Sequence, residues 1–257
     1  MSPESIGALG RRGACRLLAA ACLLLAGPAA AVVGGAVDGS ALSGASVMVL
    51  SSKGGVCSAI VIARDVVLTA AHCASGASDH RVHYRGSDGS PVLVQPAETA
   101  LHPGYSAGAE KTRRRSVDLA LLRIPSALPA RFSSATLASG TASRGDMVRV
   151  GGWGVAREGD ARSTGTFRSA ALEVVEPYGP GRILLWASGA RSGAGACQGD
   201  SGGPLANASG NVVAVTSWAR GTGSNRCGEL TQGILVAPQR TWIDAVLSRW
   251  GRSAAWN

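Results

Sequence analysis

Lysine is almost absent from this chain: Lys53 and Lys111 are the only two, so arginine supplies nearly all of a net charge of +9. Aromatic residues make up 4%. No basic stripe interleaved with aromatics and no basic recognition helix occurs, so a nucleic-acid interface is not expected. The scattered arginines read as a solubilising surface. No Cys-x-x-Cys and no Cys/His spacing of a zinc site is present. No apolar run reaches the roughly 20 residues needed to cross a bilayer. What the chain does have is 36 glycines and abundant Ala, Val and Leu. That composition argues against disorder and for a loop-rich, β-rich globular protein. At 257 residues there is length for one or two compact units with an ample core.

The first 31 residues read as a leader. Arg11, Arg12 and Arg16 precede the apolar stretch Leu17–Leu25, and Gly27-Pro28-Ala29-Ala30-Ala31 ends in small residues. A charged start, a short apolar middle and a small-x-small end form a signal peptide, so the mature chain is expected to begin at Val32 and to be secreted, extracellular or periplasmic. Stable membrane association is not expected. Cys15 and Cys22 leave with the leader, and Cys57, Cys73, Cys197 and Cys227 remain. An exported protein with four cysteines is expected to form disulfides. Three pairings are possible, and spacing alone does not choose among them.

From Val47 onward, short apolar runs recur between Gly, Ser, Pro or Asp clusters: Val47–Leu50, Ser58–Ile62, Val66–Thr69, Val92–Gln95, Leu119–Ile124, Met147–Val150, Ala170–Val175, Ile183–Trp186, Val212–Thr216 and Gly233–Val236. Many short strands at this spacing predict an all-β sandwich or barrels. After Pro238 the period changes: Trp242, Ile243, Val246, Leu247 and Trp250 recur at helical spacing, predicting a terminal helix at about 239–250. The best boundary is Pro125–Asp146, where periodicity fades.

Three motifs carry chemistry. Cys197-Gln198-Gly199-Asp200-Ser201-Gly202-Gly203-Pro204 sets a serine among glycines on a tight loop, where small neighbours let a substrate backbone approach. A serine hydroxyl is a weak nucleophile and requires a base and an orienting acid. Thr69-Ala70-Ala71-His72-Cys73 offers the base, and Asp118, heading the apolar run Leu119-Ala120-Leu121-Leu122, offers the acid. The order His72, Asp118, Ser201 is that of the chymotrypsin-type triad. His80, His83 and His102 have no such motif and read as structural.

With Val32-Val33-Gly34-Gly35, Gly152-Trp153-Gly154 and Ser217-Trp218 added, the chain resembles a secreted trypsin/chymotrypsin-like serine protease from Val32 to about Trp250. The leader and composition look bacterial. The resemblance implies two antiparallel Greek-key barrels, about 32–136 and 137–238, packed with a C-terminal helix. His72 and Asp118 come from the first barrel, Ser201 from the second. It implies the disulfides Cys57–Cys73 and Cys197–Cys227, an oxyanion hole from the N–H groups of Gly199 and Ser201, and an ion pair between Asp200 and a freed Val32 amine. Protein or peptide substrates, a monomer and no cofactor are implied. The segment Tyr84–Glu98 lacks the family's paired calcium-binding glutamates, so no metal is expected. Asn207-Ala208-Ser209 is a glycosylation sequon, expected to stay bare in a bacterial protein.

Gly195 stands where trypsin-like members carry the aspartate that binds Arg or Lys, and Ala196, Ser217, Trp218, Ala219 and Gly233 are expected to line the rest of the pocket. A buried pocket without a carboxylate rejects a cationic side chain, whose desolvation goes uncompensated. Small to medium apolar residues before the scissile bond are the first expectation, aromatic ones the second. The family's third disulfide is missing, with Trp186 near one expected cysteine. The long segment Arg220–Arg226 and the run Arg113-Arg114-Arg115 read either as solvated charge or as subsites for acidic residues. The alternative to an active endopeptidase is a latent or non-catalytic protease fold that needs a partner.

Overall fold

The computed structural model describes residues 32–76, 79–112, 114–175 and 183–257. The expected leader, residues 1–31, and Arg113 lie outside them. After the short strand β1 (Ala36–Val37) come β2 (Ser46–Ser51), β3 (Val56–Ala63), β4 (Val66–Thr69), β5 (His80–Arg85), β6 (Pro91–Val94), β7 (Glu98–Leu101) and β8 (Ala120–Arg123). These last seven form one antiparallel sheet in the order β6-β5-β2-β3-β4-β8-β7.

The second half contains β9 (Thr136–Leu137), β10 (Met147–Gly152), β11 (Arg168–Val174), β12 (Leu184–Ser188), β13 (Pro204–Ala206), β14 (Val212–Arg220), β15 (Leu230–Leu235) and β16 (Ala255–Trp256). Its path β10-β11-β12-β15-β14-β13 returns to β10 and closes a six-stranded barrel. A helix follows at Arg240–Arg249. The all-β architecture is therefore observed as one closed barrel and one open half-barrel, with a terminal helix.

Strands with both faces buried hold the halves together. Along β3, Ala59 and Val61 point into the first barrel with Val47, Val49, Val67 and Val82. Their alternates Ile60 and Ile62 meet Val212, Val215 and Ile234 of the second barrel and Ile243, Val246 and Leu247 of the helix. Side chains alternate across a strand, so a continuous apolar run serves two cores at once. This shared core sets the register in which residues from the two halves meet.

One boundary differs from expectation. Residues 32–38 lie with the second barrel, where Ala36–Val37 pair with Arg168–Ser169 and Val33 bridges to Gly195. The polar strand β5 and the short strands β7 and β13 were not visible as apolar runs. Among the described residues no helix is long and apolar enough to cross a membrane.

Candidate active site

His72 lies in a 3₁₀ turn, Ala71–Cys73, just after β4. The Cys57–Cys73 disulfide ties that turn to β3. The His72 backbone N–H donates to Asp118 Oδ1 at 2.9 Å, and its ring Nδ1 lies 2.7 Å from Oδ2. Two contacts to one carboxylate fix both the loop and the ring, leaving Nε2 on the ring's opposite edge. Ser217 Oγ donates to Asp118 Oδ2 at 2.6 Å, across 99 residues of chain. Burial pulls the Asp118 carboxyl upward, but hydrogen bonds and charge from His72, with Ser217, outweigh it and hold the group below its ordinary value. Ser217 therefore serves the carboxylate as well as standing beside Trp218.

The Ser201 loop is pinned from both barrels. Ser58 N–H donates to the Ser201 carbonyl at 2.8 Å, and Gly202 N–H donates to Thr216 O at 2.7 Å. The Cys73 sulfur, next in chain to His72, lies 3.8 Å from that Ser201 carbonyl oxygen. Gly202 has φ +84°, and a Cβ there would overlap Ser58 O and Thr69 Oγ1. Only glycine satisfies both the conformation and the space. Ser58 Oγ donates to Gly199 O at 2.8 Å and accepts the Trp153 N–H at 2.9 Å. The carbonyl of Gly199 is thereby turned toward the first barrel. Among the described residues neither the Gly199 nor the Ser201 N–H has an intramolecular acceptor. Ser58 is a positioning residue that the sequence reading missed, because a lone serine in an apolar strand carries no motif.

Asp200 and Val32 are both fully buried. The carboxylate accepts Gly154 N–H on Oδ1 and Cys197 N–H on Oδ2, both at 2.9 Å, and a backbone bond from Val32. Burial nevertheless pushes its pKa from 3.8 to about 7, since three neutral donors do not replace a countercharge. Gly152 makes the carboxylate's space, for a Cβ there would overlap Asp200 Oδ1.

Gly195, Ala194 and Ala196 are buried beside the Cys197–Cys227 disulfide. Ala196 N–H donates to Thr231 Oγ1 at 3.0 Å, and a Cβ at Gly195 would stand 3.3 Å from the same oxygen. Thr231 is also the cross-strand partner of Ala219. It thus stands beside Gly195 and Ala219, where Gly233 was expected. Gly233 lies two residues further along β15, and a Cβ there would overlap Leu205 and crowd Ala214 in the barrel core. Across the sheet Gly233 pairs with Thr216, three residues before Ala219. Trp218 is 39% exposed and meets Trp186 edge-on at 5.9 Å.

Glu158 accepts the Arg226 backbone N–H on both carboxylate oxygens, at 2.9 and 2.8 Å, and ties the Arg220–Arg226 segment to the loop after Gly154. Arg220 faces Glu229 at 3.8 Å, so its charge has an internal partner. Arg114 and Arg115 are exposed. Cys57, His72 and Cys73 cluster closely, but both sulfurs are spent in the disulfide and are not metal ligands. His83 bonds Val92 O, and His102 stacks edge-on against Trp242.

Comparison with known proteins gives a consistent result. The family described as Trypsin matches residues 33–243. Trypsin delta of Drosophila erecta is 30% identical over 203 residues, 73% of this chain and 77% of that protein. Kallikrein-8 of Homo sapiens is 28% identical over 67% of this chain and 68% of its own. Trypsin-3 of Salmo salar is 27% identical over 75% and 83% respectively. The solved structure of neuropsin, a serine protease expressed in the limbic system of mouse brain, superposes with a TM-score of 0.68 at 24% identity, covering 84% of this chain and 99% of that one. These relatives are animal proteins and lend no support to a bacterial origin.

Proposed function

This chain belongs to the trypsin family and is a serine endopeptidase, and from that premise we propose which residues carry its reaction. Ser201 Oγ attacks the peptide carbonyl. His72 accepts the serine proton at Nε2 and returns it to the leaving amine, and water then resolves the acyl-enzyme by the same route. Asp118 fixes the imidazole tautomer and stabilises the imidazolium without taking the proton. The Gly199 and Ser201 N–H groups receive the developing oxyanion. The observation that carries this reading is the doubly bonded His72–Asp118 pair set against a Ser201 loop anchored to Ser58 and Thr216.

Residues 32–257 form the mature, secreted, monomeric protease domain, acting on protein or peptide substrates. The freed Val32 ammonium pairs with Asp200, and because Ala31 precedes Val32, leader removal alone creates that amine. Activity then appears on export without a separate activating protease. The pocket at Gly195 carries no carboxylate, and Thr231 narrows it beside Ala219, which favours small to medium apolar side chains over aromatic ones and disfavours Arg and Lys.

A fluorophosphonate probe tests the catalytic assignment. It should label the chain that begins at Val32 and fail on Ser201→Ala, with labelling sharply slowed in His72→Ala. Labelling that persists in Ser201→Ala would remove Ser201 from its role, and no labelling of the unmutated chain would favour a latent protease fold.

A further inference from the structure

Asp200 has an additional positive neighbour besides Val32. Arg168 opens β11 directly opposite Gly152 of β10. Residues paired this way across an antiparallel sheet project from the same face, with Cβ positions roughly 4.5–5.5 Å apart. The Asp200 carboxylate occupies the space a Gly152 Cβ would take. Arg168 therefore projects on the face where that fully buried carboxylate sits, within easy reach of an arginine stem. Its guanidinium is poorly committed elsewhere. Among the described residues Nε is buried without a hydrogen-bond partner. Nη1 reaches only Thr166 O, at 3.5 Å. Burial and repulsion from Arg157 of the neighbouring loop lower the Arg168 pKa, while Asp200 works in the opposite direction. The charged groups facing Arg168 are thus Asp200, Arg157 and, once freed, the Val32 amine.

We propose that Arg168 is a positioning residue that supplies a second, permanent countercharge to Asp200, so the active serine loop persists in part when Val32 carries no ammonium. This rests on the Val32–Asp200 pairing above and adds to it. Two states lack that ammonium: a chain whose N-terminus is extended beyond Val32, and a mature chain at a pH where the amine is neutral. A terminal amine titrates near about 7.7–8.0 when unperturbed. A guanidinium stays charged far above that. Arg168 would leave a chain with a misplaced leader cut partly active and soften the alkaline loss of activity.

The test crosses two N-termini, Val32 free and Val32 preceded by Met-Ala, with Arg168, Arg168→Met and Arg168→Lys. Each chain is followed by kcat/KM on one peptide from pH 6 to 11, with thermal melting as a folding control. With Val32 free at pH 7, Arg168→Met should stay within about threefold, the ammonium sufficing on its own. In the extended chain the same change should cost roughly 10- to 100-fold, the range of a hydrogen bond or close contact to a charged group. Arg168→Lys should recover much of it. In the mature chain Arg168→Met should also move the alkaline loss to lower pH.

Equal losses in both backgrounds, tracking the melting temperature, would make Arg168 merely structural and overturn the proposal. An extended chain that is dead with or without Arg168 would overturn it while leaving the Val32–Asp200 pairing intact. An extended chain as active as the mature one and indifferent to Arg168 would overturn both.

Discussion

Two carboxylates flank the proposed nucleophile Ser201 and are handled in opposite ways. Asp118, on the first-barrel side, keeps its partners permanently: the His72 backbone and ring and the Ser217 hydroxyl. Its pKa is held down although burial pulls it up. Asp200, in the second barrel, is fully buried among backbone N–H donors, and its pKa rises to about 7. The first carboxylate is fully partnered when the chain folds. The second lacks a close countercharge until, in the proposed mechanism, a freed Val32 amine pairs with it, so the contrast separates the proposed orienter of the base from the proposed sensor of leader removal.

The sharpest way to break the comparison is Asp118→Asn, which should leave the fold intact and lower kcat by about 10⁴ with little change in KM, the size expected when an imidazole is held in the wrong tautomer. Steady-state kinetics decides it, and a loss under tenfold would remove Asp118 from its role.

Stability against pH sharpens the contrast next. For a chain extended beyond Val32, the raised Asp200 pKa contributes stability that is fully present below about pH 3.8 and is lost as pH rises through about 7. That interval corresponds to at most roughly 4 kcal/mol. Asp118 has the opposite sign: its contribution is present above the ordinary carboxylate value and lost as pH falls through its depressed folded value. Denaturant unfolding from pH 3 to 9 should show Asp200→Asn flattening the upper slope and Asp118→Asn the lower one. Identical profiles for the two variants would contradict the account.

Two smaller effects follow from residues that position rather than react. Thr231→Gly should widen the pocket and shift the kcat/KM ratio of phenylalanyl over alanyl substrates upward by about 10-fold or more, in line with the modest value of each methylene in an apolar pocket. An unchanged ratio would place the pocket elsewhere. Ser58→Ala leaves the Trp153 N–H without its acceptor and should cost about 1–3 kcal/mol in denaturant unfolding.

Much of this was legible in the sequence for a physical reason. His72, Asp118 and Ser201 each sit in a local motif, and strands buried on both faces, such as Val66–Thr69, announce themselves as apolar runs. Strand His80–Arg85 did not, because Val82 is its only fully buried residue and charged neighbours hide the alternation. Thr231 was passed over for Gly233 because cross-strand pairing, invisible in composition, sets which residue meets Ala219, and Gly233 pairs with Thr216. Ser58 and Arg168 matter through partners more than 30 residues away in sequence, Gly199 and Asp200, and nothing local marks such pairings.

The most direct measurement digests an unbiased peptide mixture with the chain beginning at Val32, reading every cleavage site by mass spectrometry beside Ser201→Ala. Cuts are expected after Ala, Val and Leu, fewer after aromatic residues, and none in the Ser201→Ala sample. Cuts clustered after Arg or Lys, or cutting that survives loss of Ser201, would contradict that expectation.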